Sequence, residues 1–475
     1  MFPAPPKPHP LESGFVTDQL RLRSGPANAA AVRRGGEFVL YWMQATHRLE
    51  DNWALRLATL EADRLGRPLL TYQGLDPTYE YASDRIHAFI IEGARETAAH
   101  ARALGLPYVF TLRRRRDDDR RVVDRIAARA CLVVTDLLPT AGIAERTRRF
   151  AERANCLVTQ VDSYTVVPSG CFTSEQYSAA VIRPKLNRLR DHYLQPVADH
   201  PPRHALPPAT LTSLECEPLD LATIDPPAIL ASCEIDHSVG VAPLTPGRRA
   251  AQERLAAFAE DGLAHYEDRR REPGDAEGSS RLSPYLHFGQ IGAAEVARAT
   301  IAARGRGADP YLDELITWRE LAMNFCLRNR DYAKLRCLPR WAQETMAAHT
   351  SDPRDPVYSL RQLAAGHTHD SLWNAAQHQL TATGTMHNAV RTVWGKSVLL
   401  WTTSYRSALR SLLVLNNRYG LDGRDPNSFL NILWCFGKFD RPFAERPVWG
   451  KIRPMSLDRA RAKFDAARFV DTFGG

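Results

Sequence analysis

The stretch Glu37-Phe-Val-Leu-Tyr-Trp-Met43 is the first of several short, largely apolar runs in this chain of 475 residues. Runs of this kind form strands that are buried on both faces of a sheet. An amphipathic segment follows it, then a second apolar run, and the alternation continues to about residue 165. Strands that alternate with helices are typical of a parallel sheet covered by helices on both faces. We therefore predict a Rossmann-like α/β domain over residues 37–195.

The elements of this domain follow from changes in hydrophobic periodicity. The predicted strands are residues 37–43, 67–72, 107–112, 131–136 and 156–161. The predicted helices are residues 52–66, 83–105, 119–130 and 140–155. No Gly-x-Gly-x-x-Gly sequence follows any of these strands, so the usual dinucleotide-binding signature is absent.

A proline-rich stretch separates this domain from the rest of the chain. Ten prolines fall between residues 196 and 246, several of them in pairs. Proline lacks a backbone donor and disrupts helices, so this composition favours extended chain. We predict an interdomain linker over residues 196–246, and an N-terminal extension over residues 1–36.

Beyond the linker, the strand pattern gives way to helical periodicity. Clear examples are residues 250–268, 290–303, 312–329 and 386–403. We predict that residues 247–475 form a larger, all-helical domain.

Composition excludes several classes of protein. Hydrophobic residues make up 44% and charged residues 24% of the chain, which excludes a wholly disordered or fibrous protein. No apolar run approaches the roughly 18 residues of a membrane span, and the N-terminus lacks the layout of a secretory signal, so we expect a soluble, cytoplasmic protein. The formal net charge of +8 suits a polyanionic partner, but equally a solvated Arg-rich surface. The eight cysteines have no metal-binding spacing, so we expect reduced thiols and no metal site.

The tryptophans are distributed very unevenly. Seven of the nine lie in the last third of the chain: Trp318, Trp341, Trp373, Trp394, Trp401, Trp434 and Trp449. Trp394 and Trp401 are seven residues apart, which places both on one face of a helix. Core packing is the ordinary use of such residues. The alternative is a series of indole rings that carries electrons to a buried redox cofactor, and spacing alone does not decide between the two.

Three further segments are candidates for binding or catalysis. Ser279-Ser-Arg-Leu-Ser283 offers hydroxyl and backbone N–H groups before a helix, which suit phosphate oxygens but are also typical of an ordinary helix cap. Leu421-Asp-Gly-Arg-Asp-Pro-Asn427 has the groups to bind a polar heterocycle or ribose, or to form a turn. Glu314 and Trp318 share a helix face, where the apolar ring favours the acid form of the carboxyl. Pairing of Glu314 with a neighbouring arginine is the simpler alternative.

Taken together, in order and at their spacings, the motifs of this chain resemble those of the class II cyclobutane pyrimidine dimer photolyases of the photolyase/cryptochrome superfamily. The resemblance extends over nearly the whole chain. It rests on Tyr41-Trp-Met43, Glu50-Asp-Asn-Trp-Ala-Leu55, Tyr81-Ala-Ser-Asp-Arg85, Arg183-Pro-Lys185, Leu282-Ser-Pro-Tyr-Leu-His-Phe-Gly289, Trp318-Arg-Glu-Leu321, Thr368-His-Asp370, Leu372-Trp-Asn-Ala-Ala-Gln377, Leu421-Asp-Gly-Arg-Asp-Pro-Asn427 and Glu445-Arg-Pro447. Each motif alone is weak, but the ordered set is specific.

The resemblance implies an α/β antenna domain, a long linker and a helical domain that holds FAD in a folded, U-shaped conformation. It implies that Arg391 and Asp422 pair beside the isoalloxazine ring, and that Asn416 faces the flavin N5. The implied FAD-binding residues are Tyr266, Ser279, Ser280, Arg281, Leu282, Ser283, Gln377, Arg391, Asn416, Asp422 and Asp425. The family also allows for a second, antenna chromophore of the deazaflavin or folate type in the N-terminal domain.

The implied reaction is light-driven repair of cyclobutane pyrimidine dimers in UV-damaged DNA, by electron transfer from photoexcited reduced FAD to a dimer flipped out of the duplex. The implied catalytic residues are Glu314, Asn416, Trp394, Trp373 and Trp401, of which the three tryptophans match the relay that photoreduces the flavin. The implied substrate-binding residues are Glu314, Trp318, Thr392 and Trp434. The resemblance implies no metal, no obligate protein partner and a monomer.

Several positions near the implied pocket depart from the family pattern. Thr392 stands where the family usually has Met, and Phe439 where it has His. Asn388-Ala389 is smaller than usual, and Arg270-Arg-Glu-Pro273 replaces Arg-Asn-Asp-Pro. Two alternatives to dimer repair therefore stay open: a cryptochrome-like flavin photoreceptor, and a photolyase homologue whose remodelled pocket takes a different substrate. The chain ends soon after its last family motif, which weighs against the receptor.

Overall fold

The computed structural model describes residues 14–275 and 277–474. Its N-terminal part is built around one six-stranded sheet. The strands are β1 (Ser24–Pro26), β2 (Phe38–Trp42), β3 (Leu69–Leu75), β4 (Tyr108–Leu112), β5 (Ala130–Asp136) and β6 (Leu157–Val161). The helices of this part are α1 (Gly14–Arg23), α2 (Trp53–Leu65), α3 (Asp84–Ala103), α4 (Val122–Ala127) and α5 (Ile143–Ala151). The alternation of strands and helices confirms the predicted α/β class.

The order of the strands defines where a ligand would bind on this sheet. The strands lie in the order β1-β6-β5-β2-β3-β4. The pairs among β2 to β6 are parallel, and β1 pairs with β6 antiparallel. The chain winds from β2 to β4 on one side and from β5 to β6 on the other, so the direction reverses between β2 and β5. Open α/β sheets bind ligands at such a reversal, beyond the carboxyl ends of the strands.

Local chemistry explains where individual helices begin and end. The Asn52 side chain caps α2 by accepting a backbone N–H at 3.0 Å, and Gly66 ends that helix with a φ of +62°, which glycine adopts at little cost. The helix predicted over residues 119–130 is shorter in the structure. The carboxylates of Asp118 and Asp119 accept backbone N–H groups of neighbouring arginines, and these turns delay the start of α4.

The segments predicted as extension and linker contain regular elements. α1 and β1 lie within residues 1–36, and β1 forms an edge of the sheet. After β6 the chain forms α6 (Ala179–Tyr193), and residues 196–246 then include α7 (Pro208–Thr212) and α8 (Pro226–Ala231). Both short helices begin at a proline, which is tolerated there because the first N–H groups of a helix have no acceptor within it.

Among the described residues, the chain beyond β6 contains helices and no strand. The remaining helices are α9 (Arg248–Ala257), α10 (Leu263–Arg269), α11 (Ser283–His287), α12 (Ala293–Ala303), α13 (Ala308–Leu312), α14 (Arg319–Arg328), α15 (Arg340–Ala348), α16 (Leu360–Ala364), α17 (Ser371–Thr383), α18 (Asn388–Leu400), α19 (Tyr405–Tyr419), α20 (Pro426–Trp434), α21 (Leu457–Arg461) and α22 (Ala466–Phe473). This confirms the predicted helical C-terminal domain. None of the described helices has the length and apolar character needed to cross a bilayer.

Two of the predicted helices contain a π-helical segment. Phe258–Gly262 joins α9 to α10, and Asp313–Trp318 joins α13 to α14. π segments have a wider turn than an α-helix and are frequent at functional sites. The second segment carries Glu314 and Trp318, so both side chains lie on an irregular part of an otherwise continuous helix.

The α/β part and the helical part are joined by a buried arginine. Arg85, near the start of α3, donates to the carbonyl oxygens of Leu380, Thr381 and Tyr419 at 3.2, 2.7 and 2.7 Å. These carbonyls belong to α17 and to the end of α19. The guanidinium therefore fixes the sheet domain against the helices that carry most of the candidate site.

Candidate cofactor and substrate site

Three tryptophan side chains are in contact where α17 packs against α18. Trp373, on α17, has no exposed surface, and its ring lies between those of Trp394 and Trp401. The Trp373 and Trp394 rings are stacked with centroids 6.0 Å apart, and the Trp373 and Trp401 rings meet edge to face at 5.7 Å. Sequence spacing placed Trp394 and Trp401 on one helix face, whereas the structure brings Trp373 between them. The result is a continuous series of rings in the order Trp394, Trp373, Trp401.

Hydrogen bonds fix the orientation of two of these rings. Trp373 Nε1 donates to the carbonyl oxygen of Trp394 at 3.0 Å, and Trp394 Nε1 donates to Gln377 Oε1 at 3.2 Å. Buried indole N–H groups require acceptors, so these bonds restrain the rotation of both rings. The Gln377 side chain, implied to bind FAD, is fully buried, and its Nε2 donates to the Ala364 carbonyl at 3.3 Å. Both polar atoms of this amide, Oε1 and Nε2, therefore hydrogen-bond to protein groups.

The ring contacts continue from Trp401 to the protein surface. Tyr358 and His369 contact the Trp401 ring at centroid distances of 5.8 and 4.9 Å. The Tyr358 hydroxyl hydrogen-bonds to His369 Nδ1 at 2.7 Å, and His369 is exposed. Sequence reasoning assigned no role to either residue, because both lie in loops that meet Trp401 only in the folded chain.

A charged cluster lies beside the C-terminal half of α19. Arg391 Nη1 and Nη2 donate to the two carboxylate oxygens of Asp422 at 2.9 and 2.8 Å. Arg391 Nη2 also donates to Asn416 Oδ1 at 2.6 Å, and Asn416 Nδ2 donates to Asn417 Oδ1 at 3.0 Å. Three of the candidate residues, from α18, α19 and the loop before α20, thus meet at one place.

Glycines allow the loop that carries Asp422 to lie against α19. A Cβ atom on Gly423 would be 2.8 Å from the Asn416 carbonyl oxygen, and one on Gly420 would be 2.7 Å from the same atom. This oxygen is part of the helix backbone and has little freedom to move. Only glycine therefore permits the close approach that places Asp422 beside Arg391.

The electrostatics of this pair keep both partners charged. Burial alone would raise the pKa of Asp422, but the Arg391 guanidinium and the Ser283 hydroxyl outweigh that effect and lower it. Burial alone would lower the pKa of Arg391, but the Asp422 carboxylate reverses the direction and raises it. The ion pair is consequently stable over the ordinary pH range.

Residues 279–283 form a short loop that leads into α11. Ser280 is buried, and its hydroxyl accepts a hydrogen bond from Tyr311 at 2.9 Å. Arg254 Nε donates to the Ser280 carbonyl at 3.0 Å. Leu282 packs in the core, whereas Ser283 at the start of α11 is exposed. The loop is thus held by hydrogen bonds from Arg254 on α9 and Tyr311 on α13, and Ser283 is its exposed serine.

Arg281 is the unusual residue of this loop. It adopts a φ of +52°, and its half-buried guanidinium makes no hydrogen bond or ion pair with any residue that the structure describes. Burial lowers the pKa of Arg281, and the nearby positive charge of Arg254 lowers it further. Arg254 is itself paired with Glu277 at 2.9 Å, so the Arg281 guanidinium is the group of this loop that suits an added anion.

Tyr266, on α10, lies near both Glu314 and the loop of residues 279–283. Its ring meets that of Tyr311 at 5.3 Å, and the Arg270 guanidinium lies 5.4 Å from its centroid. Burial, followed by the charge of Glu314, raises the pKa of Tyr266 to about 12. The hydroxyl therefore stays protonated and able to donate at neutral pH.

Glu314 lies in the π segment with 37% of its side chain exposed, and its Oε1 is 3.3 Å from Arg270 Nη2. Burial raises the pKa of Glu314, Arg270 opposes this effect, and Asp313 adds to it. The predicted shift towards the acid form and the predicted arginine partner therefore both occur. Glu314 and Trp318 lie in a π-helical segment and not in the expected α-helix, but residues four apart also share a face on the wider turn of a π-helix.

Trp318 and Trp434, the implied walls of a substrate pocket, are both half-buried. Trp434 is the last residue of α20, and two cations lie near its ring centroid: Lys396 Nζ at 4.7 Å and the Arg453 guanidinium carbon at 5.7 Å. Thr392, also half-buried, donates its hydroxyl to the carbonyl of the residue one turn earlier at 3.3 Å. The Thr392 hydroxyl proton is therefore used in a hydrogen bond within α18.

Phe439 lies five residues after Trp434 and has a φ of +63°, a left-handed conformation that is rare for a bulky side chain. Its ring meets Phe325 edge to face at 5.3 Å. Lys438 Nζ lies 4.8 and 5.2 Å from the centroids of these two rings and pairs with Glu175 at 2.6 Å. Neighbouring contacts therefore hold a strained aromatic residue at one of the positions that depart from the family pattern.

Asp425 lies at the interface between the α/β part and the helical part. It accepts hydrogen bonds from the Tyr164 hydroxyl at 2.6 Å and from the backbone N–H of Asn427 at 2.9 Å, and it contacts His287 Nδ1 at 3.1 Å. Burial would raise the pKa of Asp425, but the His287 bond and the charge of Arg319 lower it to about 2. The carboxylate is charged, and both of its oxygens are used by protein groups.

A cleft, whose volume of about 620 Å³ includes space open to solvent, lies where the winding of the sheet reverses. Its lining includes Met43 after β2, Gln73 of β3 and Leu138 after β5, as well as Arg146 and Arg424. Burial lowers the pKa of both arginines. The residues that line the cleft come from six separate segments of the chain, so no local sequence pattern predicts the cleft.

Comparisons with known proteins identify the family of this chain. A family model for DNA photolyase matches residues 39–205. The chain is 36% identical over 449 residues to the deoxyribodipyrimidine photo-lyase of Methanothermobacter thermautotrophicus, covering 93% of this chain and 95% of that protein. It is 32% identical over 473 residues to the deoxyribodipyrimidine photo-lyase of Potorous tridactylus, covering 97% of this chain and 85% of that protein.

Solved structures share the fold at lower identity. A cryptochrome of Synechocystis sp. has a TM-score of 0.69 at 16% identity, covering 92% of this chain and 88% of that one. A class III photolyase from Agrobacterium tumefaciens has a TM-score of 0.66 at 18% identity, covering 92% and 86%. These likenesses show the fold alone, whereas the two relatives above exceed 30% identity over nearly the whole chain. The chain therefore belongs to the photolyase/cryptochrome superfamily and contains a DNA photolyase domain.

Proposed function

We propose that this protein is a class II deoxyribodipyrimidine photo-lyase, which repairs cyclobutane pyrimidine dimers in UV-damaged DNA under light. The observation that carries the proposal is the junction on α18, where Arg391 and Trp394 lie one turn apart. Arg391 belongs to the charged cluster with Asp422 and Asn416, and Trp394 begins the series of tryptophan rings in contact. A polar cofactor pocket and an electron path to it thus share one helix.

Relatives with this activity in their names support the proposal. The two photo-lyases from Methanothermobacter thermautotrophicus and Potorous tridactylus align over more than nine-tenths of the chain. The class II assignment is supported by the ordered motifs, which run from Tyr41-Trp-Met43 in the α/β part to Glu445-Arg-Pro447 near the end of the helical part.

The residues present fit FAD in charge and hydrogen-bonding chemistry. The half-buried Arg281, which has no partner among the described residues, suits a diphosphate together with the hydroxyl of Ser279. The Asn416 amide nitrogen carries two donors, and one of them bonds to Asn417. The other is available for an acceptor such as the flavin N5, and the Arg391 to Asp422 pair would flank the ring.

FAD, when bound and reduced, supplies light-driven transfer of one electron to the dimer. Side chains of the protein hold the substrate for it. Glu314, whose pKa burial raises, donates a hydrogen bond to a pyrimidine carbonyl when it is in its acid form. Trp318 and Trp434 pack on the flipped pyrimidines and exclude water from them. Positive surface charge binds the phosphates, so binding is salt-sensitive.

The test is direct repair by the reduced, irradiated protein. We expect the ultraviolet base absorbance of an oligonucleotide that carries a cyclobutane dimer to recover in the light but not in the dark. An undamaged oligonucleotide of the same sequence is the control. No recovery by protein that contains reduced FAD would contradict the proposal.

Phe439 favours a second candidate, a photolyase homologue that acts on a different lesion. Its strained, half-buried ring packs edge to face against Phe325, at a position where the family has a polar residue. Oligonucleotides with other ultraviolet photoproducts should be irradiated alongside the cyclobutane dimer. Recovery with those alone would favour a remodelled pocket, and recovery with none of them, despite photoreducible FAD, would favour a flavin photoreceptor.

We also propose that the cleft at the sheet reversal holds an antenna chromophore of the deazaflavin or folate type. Arg424 Nε and Nη2 are buried, line the cleft and have no hydrogen-bond partner among the described residues. Unpartnered buried donors suit a planar, acidic ligand. Reconstitution with a deazaflavin or a folate should add a near-ultraviolet absorption band, and Arg424→Leu should abolish it. Absence of the band from the wild type with both chromophores would contradict this assignment.

A further inference from the structure

Lys396 is a buried lysine whose ammonium group lies against Trp434. It belongs to α18, two residues beyond Trp394, and has no exposed surface. Its Nζ donates to the carbonyl oxygen of Cys435 at 2.9 Å, and lies 4.7 Å from the Trp434 centroid and 5.8 Å from the Trp449 centroid. No carboxylate pairs with it among the described residues. Burying an ammonium group without such a partner is costly, so packing alone does not explain its presence.

The surroundings keep the ammonium charged at neutral pH. The Cys435 carbonyl lies at the C-terminal end of α20, where the helix carries partial negative charge, and indole faces attract cations. Asp440 and Arg453 are the charged groups that face Lys396 from the neighbouring loops, and they pair with each other at 2.7 and 2.9 Å. Burial lowers the pKa of Lys396 to about 8, the thiol of Cys435 and the charge of Asp440 oppose this, and Arg453 adds to it.

We infer that Lys396 is a positioning residue for dimer repair, which fixes the Trp434 indole and places a positive charge behind it to stabilise negative charge on a pyrimidine packed against that ring. The inference rests on the proposed function. In that reaction the pyrimidine pair accepts one electron, two C–C bonds break, and the electron returns to its donor, so there is no net oxidation. The pair is anionic only between these two transfers. A charge already in place favours this state over the neutral ground state.

Two variants separate charge from packing. Lys396→Met removes the charge from a side chain of similar length, and Lys396→Arg keeps it. The exposed Lys463, changed to Met, controls for the loss of one positive charge elsewhere. At pH 7, with saturating damaged DNA and chemically reduced protein, Lys396→Met should lower repair per absorbed photon by about threefold or more. Dark affinity for the damaged DNA should stay within about twofold, because the bound dimer is neutral before the transfer.

The pH profile gives a signature that a merely structural role would lack. Lys396 loses its charge as pH rises through about 8. Wild-type repair per photon should therefore fall across that midpoint towards the Lys396→Met value. Lys396→Met should show no such step, and Lys396→Arg should hold its yield through the same range because guanidinium stays protonated.

A measurement in the dark tests the placement without photochemistry. In spectra of protein with 13C-labelled lysine, the resonance that disappears in Lys396→Met should titrate near pH 8 in the wild type. Its ring-current shift should be reduced in Trp434→Leu. An unchanged ring-current shift in Trp434→Leu would overturn the inference, because the ammonium group would then not lie against that indole.

The remaining outcomes are also decisive. If the wild type repairs dimers and Lys396→Met matches it at every pH, the inference fails while the proposed function stands. If Lys396→Arg loses as much repair as Lys396→Met at an unchanged melting temperature, the charge has no role and the inference fails. If the wild type binds reduced FAD but repairs no dimer, the proposed function fails and this inference fails with it.

Discussion

The indole rings of Trp373 and Trp394 are stacked, with centroids 6.0 Å apart and planes within 13° of parallel. Trp401 contacts the Trp373 ring at 5.7 Å, and Trp373 itself has no exposed surface. The ring contacts that connect Trp394 with Trp401 therefore pass through Trp373. Loss of this one indole should interrupt the whole series.

Trp373→Phe should slow photoreduction of bound flavin by about tenfold or more, because a phenyl ring is much harder to oxidise than an indole. Repair by chemically reduced protein should persist, since the series serves only to reduce the cofactor. The measurement is the rate of flavin bleaching under light with an external reductant. Trp341→Phe, which changes a half-buried tryptophan outside the series, is the control. Equal rates for Trp373→Phe and the wild type would rule out this path.

The fold is predictable from the sequence because the signals for strands and helices are local. β2 is buried along its whole length, so its residues read as one apolar run. Asn52 and Gly66 bound α2 with ordinary cap chemistry, which the sequence shows directly. The sequence does not predict the π segment at Asp313–Trp318, because hydrophobic periodicity over so few residues does not distinguish a π turn from an α turn.

The parts of the candidate site that carry family motifs could be predicted from the sequence. The parts formed by tertiary contacts could not. Arg391 and Asp422 were expected to pair, and the structure shows their ion pair. The surroundings of Trp401 and of Lys396 depend on residues brought together from distant parts of the chain. No spacing rule connects such residues, so their contacts emerge only from the folded chain.

Asp422→Asn should destabilise the protein by about 3–5 kcal/mol, because it leaves the largely buried Arg391 charge without its partner. Flavin content after purification should fall as well, since the pair flanks the proposed ring site. Chemical denaturation and absorbance measure the two effects. Asp268→Asn is the matched control, because Asp268 pairs with Arg306 on the open surface, where an ion pair contributes about 1 kcal/mol or less. Equal losses for the two variants would contradict the expected dependence on burial.

Glu320 should make folding stability depend on pH. It is 3% exposed, its Oε1 accepts the backbone N–H groups of Val166 and Val167 at 2.8 and 2.9 Å, and its Oε2 has no partner among the described residues. Burial raises its pKa to about 8, although the Val167 N–H opposes the rise. The pKa of Glu320 is higher in the folded state than in the unfolded state. The contribution of Glu320 to folding stability is therefore complete below about pH 4.5 and is lost as pH rises through about 8.

Glu320→Gln should remove this dependence, since glutamine resembles the neutral acid in shape and cannot ionise. In the wild type, ionisation of Glu320 lowers the free energy of unfolding by at most about 4–5 kcal/mol between pH 4.5 and 8. Glu320→Gln should abolish this decrease. Free energies of unfolding measured by denaturant at several pH values test it. Glu344→Gln, at an exposed site on α15, should leave the slope of the wild type unchanged. A wild-type slope that survives in Glu320→Gln would show that another group is responsible.

Arg281→Gln should weaken FAD binding by about tenfold to a hundredfold, since a charge-assisted hydrogen bond to a diphosphate contributes roughly 1.5–3 kcal/mol. Its effect on the stability of the ligand-free protein should be small, because the Arg281 guanidinium loses no hydrogen bond or ion pair to the described residues. Titration of the ligand-free protein with FAD, followed by flavin fluorescence, measures the affinity. Arg249→Gln, on the exposed face of α9, is the matched control and should bind FAD as the wild type does. The two variants carry the same charge, so a difference between them isolates position from net charge. Unchanged affinity in Arg281→Gln would mean that the loop of residues 279–283 does not hold the diphosphate.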